Sequence, residues 1–252
     1  MFMGHYGPAV WDTKRGKTVP LIALWQAFLA VQAVDIVFAV LAIFGLEGTV
    51  MKNGEPFFNI PWSHSLLSSI LISLVAGLIF WMFNRKSGAK GFFIITLLAF
   101  SHWILDLIVH RPDLPLYPGG ELHLGFAVWN YPLLAFALEI GLLLVGFVYW
   151  MGVTKPKSIL YSLAPLLLFF FMCVIQFAFI TKPGLDLQAG QFDMNSQPQG
   201  LFLGVSALLM FALLAAIIGW IERGRPSKFA DLPNDNVHED DDDGEGELLL
   251  TL

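Results

Sequence analysis

His102, Asp106 and His110 recur every four residues within Ser-His-Trp-Ile-Leu-Asp-Leu-Ile-Val-His-Arg, residues 101–111. That spacing puts all three on one stripe of an α-helix. The residues around them are apolar enough for a membrane interior, where an ionisable side chain costs about 2.5–3.5 kcal/mol or more unless it meets a partner, water or a metal. Two more groups belong with them: His64 in Pro61-Trp-Ser-His-Ser, and Asp35 in a long apolar run. Two imidazoles and one or two carboxylates converging in a membrane pocket suit zinc or a similar divalent ion, with a position left open for water. Water held there has its pKa lowered towards neutral and becomes the nucleophile of a hydrolysis. The predicted metal ligands are therefore His64, His102, Asp106 and Asp35. Asp35 and Asp106 are the predicted catalytic carboxylates, Asp35 as a further ligand or as general base. His110, Arg111, Asp113 and His123 sit nearer water, where they orient substrate or form an outer shell around the ligands. The single cysteine, Cys173, leaves only His and carboxylate as metal donors. His5 and His238 read as non-ligands. Each candidate also has a plain structural alternative: interhelical hydrogen bonds for Asp35, His102 and Asp106, a helix cap for His64, and loop positions for Asp113 and His123.

The elements that must position these groups follow from composition. Hydrophobic residues make up 56% of the 252 and charged residues 13%, and mean hydropathy is +0.68. Those values exclude an ordinary soluble domain and predict an all-α, polytopic helical bundle. Six apolar runs are long enough to cross a hydrocarbon core of about 30 Å: 20–46, 62–83, 91–110, 124–151, 157–181 and 199–221. No signal peptide is read at the start of the chain. Eleven of the fourteen Lys and Arg fall in the N-terminal segment, the second and fourth loops and the start of the tail, which predicts that both termini are cytoplasmic. The organisation expected is a cytoplasmic segment 1–19, a six-helix membrane domain 20–225 and a disordered acidic cytoplasmic tail 226–252. Nine of the twenty acidic residues lie between Asp231 and Glu247, so the net charge of −6 belongs to the tail.

With that orientation His110 stands at the outer end of the third span, Asp106 about 6 Å and His102 about 12 Å below it. His64 opens the second span on the same side, and Asp35 lies about 16 Å from the outer end of the first. Glu139, in the fourth span, falls about 22 Å from the outer end and is left outside the site, as a pair for a neighbouring helix or part of a proton path. After the stripe comes Arg111-Pro-Asp-Leu-Pro-Leu-Tyr-Pro-Gly-Gly, whose prolines and glycines forbid helix and predict an ordered, extended lid. Arg111 suits an anionic head group or phosphate, or serves as a snorkelling anchor.

At these residues the chain resembles the YdjM-like family of bacterial inner-membrane proteins, described as membrane-bound metal-dependent hydrolases. Ser63-His64-Ser65-Leu66-Leu67 looks like that family's Thr-His-Ser-Leu-Leu element. Ser101-His102-Trp103-Ile104-Leu105-Asp106, followed by Pro112 to Pro118, looks like its Ser-His-x-x-x-Asp element and Pro-rich loop. The likeness covers residues 60–120, about a quarter of the chain. The family's upstream Pro-Asp-Ile-Asp-His element is replaced by Gln32-Ala33-Val34-Asp35-Ile36, which keeps one carboxylate, and its His-Arg-Gly by Asn59-Ile60-Pro61-Trp62. The resemblance implies a bacterial inner-membrane, metal-dependent hydrolase; with the residues above, the expectation is zinc chemistry on a lipid or amphiphilic ester or phosphoester at the outer leaflet. Membrane lipids are the expected partners, with no nucleic acid, and a homo-oligomer or a cytoplasmic partner for the acidic tail stays open. The alternatives are a proton- or cation-coupled transporter, for which Asp35, His102, Asp106 and Glu139 would form the path, and a non-catalytic membrane assembly protein.

Overall fold

In a computed structural model the protein is described over residues 1–10, 21–52 and 55–228; most of the predicted acidic tail, His238, and Lys14, Arg15 and Lys17 lie outside the described residues. The chain is mostly helical. In order come α1 (Tyr6–Ala9), preceded by a single 3-10 turn, α2 (Leu24–Val31), α3 (Ala33–Ile43), the hairpin β1 (Gly48–Lys52) and β2 (Glu55–Asn59), α4 (Leu66–Phe83) and α5 (Gly88–Val109). The two-residue pair β3 (Leu114–Pro115) and β4 (His123–Leu124) follows, then α6 (Pro132–Val153), α7 (Ile159–Gln176), α8 (Lys182–Gln188) and α9 (Gly200–Arg223). Among the described residues, five helices are long and apolar enough to cross a membrane, or six if the bent pair α2 and α3 is one span. The fold is therefore that of a multi-pass membrane protein.

The run 20–46 is not the single straight helix its hydropathy predicts. It breaks at Gln32, and α2 and α3 meet at 55°. Gln32 leaves helical geometry (φ −102°, ψ 8°), its N–H donates to the Leu29 carbonyl, and its side chain is fully buried. The break matters for the site because it places Asp35 in the first turn of α3, where the partial positive charge of a helix N-terminus favours a carboxylate.

Helices α4 and α5 form a close antiparallel pair. Ser65, Ser69, Ser73 and Gly77 recur every four residues along the buried side of α4, the small-residue pattern that lets membrane helices approach. Any Cβ at Gly77 would run into Thr96 and Phe92 of α5. Ser65 caps α4 by accepting the Ser68 N–H at 3.2 Å, so the helix starts two residues after His64 rather than at residue 62. Helix α6 begins at Pro132, a favoured first-turn residue, not at 124; residues 124–131 belong to β4 and a 3-10 turn. Helix α7 ends in a π-helical turn, Phe177–Thr181, that leads into α8.

Residues 1–19 read in the sequence as a cytoplasmic segment, yet residues 1–10 pack into the bundle and the N-terminus reaches Asp106 rather than the cytoplasmic side. Met3, His5 and Tyr6 are fully buried. The backbone N–H groups of Phe2 and Gly4 donate to Glu139 Oε2 at 2.7 and 3.3 Å, and that of Met3 to Gln176 Oε1 at 3.0 Å. Gly7 and Val10 then lie against Leu142 and Gly146 of α6. The segment is too short for a hydropathy window to register, but it is apolar and carries Gly4 and Gly7 where it touches α6. Around it, Phe28, Leu143, Phe147, Met172, Leu214 and Ile218 fill the core.

Candidate metal centre

Helix α5 carries His102 and Asp106, and His110 follows directly at its C-terminal cap with extended backbone (ψ 145°); all three are buried, at 0%, 1% and 4% exposure. Asp106 is the hub. Its Oδ2 lies 3.2 Å from His102 Nε2 and 3.5 Å from His64 Nε2. Asp35 Oδ1 lies 3.3 Å from His64 Nε2 and 3.5 Å from His102 Nε2. Four donors from three regions of sequence thus form a ring with every neighbouring pair 3.2–3.5 Å apart. In a tetrahedral zinc site with donor bonds of about 2.0–2.1 Å, the donor-to-donor edge is about 3.3 Å. The ring has that edge length.

Hydrogen bonding shows that these contacts are not ordinary polar pairs. His102 Nε2 and Asp106 Oδ2 are buried and have no hydrogen-bond partner despite their proximity, a state that costs about 1–3 kcal/mol per group when nothing else satisfies it. The far nitrogens are engaged. His102 Nδ1 lies 2.7 Å from the Val31 carbonyl, which accepts only, so Nδ1 carries a proton, and in the neutral ring Nε2 keeps the lone pair. His64 Nδ1 lies 2.7 Å from Ser63 Oγ, whose single proton goes to Glu47 Oε2; the hydroxyl must therefore accept from Nδ1, and Nε2 again faces the ring unprotonated. A backbone carbonyl behind one imidazole and a hydroxyl–carboxylate relay behind the other are the outer supports that orient metal-binding histidines. The Glu47 carboxylate is itself pinned by the Trp62 and Ser63 N–H groups at 2.6 and 3.0 Å. The residues present thus fit a divalent ion: His64, His102 and Asp106 lie close enough together to hold one, with Asp35 against the His64 and His102 side of the ring.

The other carboxylate oxygen of Asp106 has its own company. The α-amino group of Met1 contacts Oδ1, His5 Nε2 lies 3.2 Å away and His110 Nε2 3.6 Å away. His5, set aside as a non-ligand from sequence, is fully buried and stacks on His102 with ring centroids 3.6 Å apart and planes 9° from parallel. One of its ring nitrogens, an Asp35 oxygen and a His102 nitrogen also lie close enough together to hold an ion. His5 could not be placed by span counting because it lies outside every apolar run.

Of the outer candidates, Asp113 is buried and its Oδ1 accepts from His110 Nδ1 at 2.8 Å. Arg111 donates from Nε to Asn130 Oδ1 at 2.7 Å beside the site. His123 is not brought in: it packs against Phe57, and its Nδ1 donates to the Glu121 carbonyl. The predicted lid is ordered. The Phe126 and Ala127 N–H groups donate to the Leu107 and His110 carbonyls at the end of α5, satisfying acceptors that a helix terminus leaves open. Gly125 (φ +151°) sits so near the His110 and Arg111 carbonyls that any Cβ there would collide with them. Glu139 is not isolated below the site, since its carboxylate holds the N-terminal arm that carries His5.

A cavity of about 410 Å³ opens onto this cluster. Asp35, His64, Asp106, His110 and Arg111 lie along its wall, and the remainder is mainly apolar, with Phe38, Phe58, Phe179, Phe202 and Met210 among its lining. Compared with family models, curated proteins and solved structures, the chain shows no match.

Proposed function

We propose that this protein is an integral-membrane, metal-dependent hydrolase acting on a lipid or other amphiphilic ester or phosphoester. The observation that carries the reading is the ring of four donors opening onto an apolar cavity of about 410 Å³, within the roughly 300–1,000 Å³ range of ligand pockets. The resemblance of residues 60–120 to the YdjM-like family points the same way. A divalent ion, most simply zinc, would act there as a Lewis acid on the scissile group and acidify water.

The chain's own residues supply the rest. The apolar wall takes a hydrocarbon chain and excludes water, so that the polar head lies against the Asp35, His64 and Asp106 side chains. Asp35 is the exposed member of the ring, its side chain 15% accessible against 1% for Asp106. It is the carboxylate able to take a proton from water. Arg111, held through Nε, presents its remaining guanidinium donors to an anionic head group. By the positive-inside rule the site opens towards the outer leaflet, and the resemblance implies that the membrane is a bacterial inner membrane.

The test is hydrolysis of fluorogenic phosphodiester and carboxylic ester lipids in vesicles containing the purified protein. Activity lost on chelation, restored by Zn²⁺ or Mn²⁺ and absent in His102→Ala is the expected result. Metal-loaded protein that cleaves neither class overturns the reading. A transport reading needs polar groups continuing through the bundle; Glu139, the carboxylate available for that path, is occupied by backbone N–H groups.

A further inference from the structure

We infer that Asp106 bridges two divalent cations, the second held by Asp106 Oδ1, His5 Nε2 and His110 Nε2. The inference rests on the metal reading above and adds a second ion, with its own ligands, to it. Both oxygens of this carboxylate are buried, and each faces two imidazole nitrogens: His64 and His102 at Oδ2, His5 and His110 at Oδ1; Oδ1 also contacts the Met1 α-amino group, which a second cation would displace or take as a neutral amine ligand. A carboxylate serving a single tetrahedral ion needs imidazoles on one side only.

Three features mark the second side as a donor set rather than packing. Neither ring nitrogen of His5 has a hydrogen-bond partner, although the residue is fully buried; its Nε2 lies 3.2 Å from Oδ1 without aligning as a hydrogen bond. The same close, unaligned relation joins His102 Nε2 to Asp106 Oδ2 in the first ring. Asp113 accepts from His110 Nδ1 at 2.8 Å, which leaves His110 Nε2 as the free lone pair, the carboxylate–histidine arrangement found behind metal ligands. Finally, His5 is fixed in direction by its stack on His102 and by the Glu139 anchor on Phe2 and Gly4. Two ions about 3.5–4 Å apart are the usual spacing of two-metal phosphoester sites.

The probe is Mn²⁺ alone, loaded into metal-free, full-length protein in detergent and read by elemental analysis and electron paramagnetic resonance. The wild type should hold about two Mn²⁺ per chain with a spin-coupled signal. His5→Gln, chosen to keep volume beneath His102, and His110→Ala should each fall to about one, with an uncoupled six-line signal, at thermal midpoints matched to the wild type. About one Mn²⁺ in the wild type, unaffected by either substitution but lost in His102→Ala, overturns the second position and leaves the hydrolase reading standing. Two ions retained and coupled in both variants likewise overturn the assignment of His5 and His110. No bound Mn²⁺ in any protein overturns both.

Discussion

Asp106 and Glu139 are both carboxylates buried in the same bundle, and both touch the N-terminal arm, yet their surroundings differ in kind. Glu139 Oε2 accepts two backbone N–H groups, and Oε1 lies 3.5 Å from Trp129 Nε1. Its needs are met by the fold itself. Asp106 is ringed by four imidazoles; its Oδ1 takes the Met1 α-amino group, but its Oδ2 has no hydrogen-bond partner. A buried polar group that the fold satisfies is architecture; one surrounded by imidazole nitrogens, with an oxygen that the fold leaves unpartnered, is a candidate binding site. The comparison also shows how one carboxylate serves the other, because Glu139 anchors the segment that brings His5 to Asp106.

The largest effect that would break this contrast is at the hub. Asp106→Ala should abolish stoichiometric metal binding and with it all hydrolysis, read by elemental analysis and the vesicle assay; a metal-replete Asp106→Ala protein would remove the basis for separating the two carboxylates. Glu139→Gln should do the reverse. It weakens charge-assisted bonds worth about 1.5–3 kcal/mol each, so the thermal midpoint should drop by several degrees while the His64 and His102 ring keeps its ion. Loss of that ion with unchanged stability would instead make Glu139 part of the site. Ser63→Ala breaks the relay between Glu47 and His64 without touching a ligand, and should cost about 10–100-fold in metal affinity, measured by competition with a chromophoric chelator. The smallest effect belongs to Arg111→Ala: unchanged metal content and stability, with a several-fold higher KM for anionic lipids and none for neutral ones.

Much of this was legible from residue spacing. The every-four recurrence of His102, Asp106 and His110 requires only helical geometry, and His64 and Asp35 join them through the depths that span directions predicted from Lys and Arg assign. Hydropathy also finds the long helices, since each must present about 18 or more apolar residues. What it cannot see is geometry that depends on tertiary packing. The 55° break at Gln32 is invisible in an apolar run, because a buried glutamine with a 3-10 turn is no less compatible with hydropathy than a straight helix. The arm of residues 1–10 is too short to score as a span, so the burial of His5 is not legible from hydropathy; its signal is the apolar, glycine-spaced Met-Phe-Met-Gly-His-Tyr-Gly, which buries by lying against another helix. Glu47 was missed because a carboxylate at the end of an apolar run ordinarily faces water. Here it turns inward to hold Ser63.

The most direct measurement is the divalent metal content of detergent-purified full-length protein, wild type against a His64→Ala/His102→Ala double variant of equal thermal stability. The account predicts a stoichiometric ion in the wild type, and its loss from the Asp35, His64, His102 and Asp106 ring in the variant. Metal-free wild type after reconstitution with zinc and manganese, or an ion held equally by the variant, would contradict it.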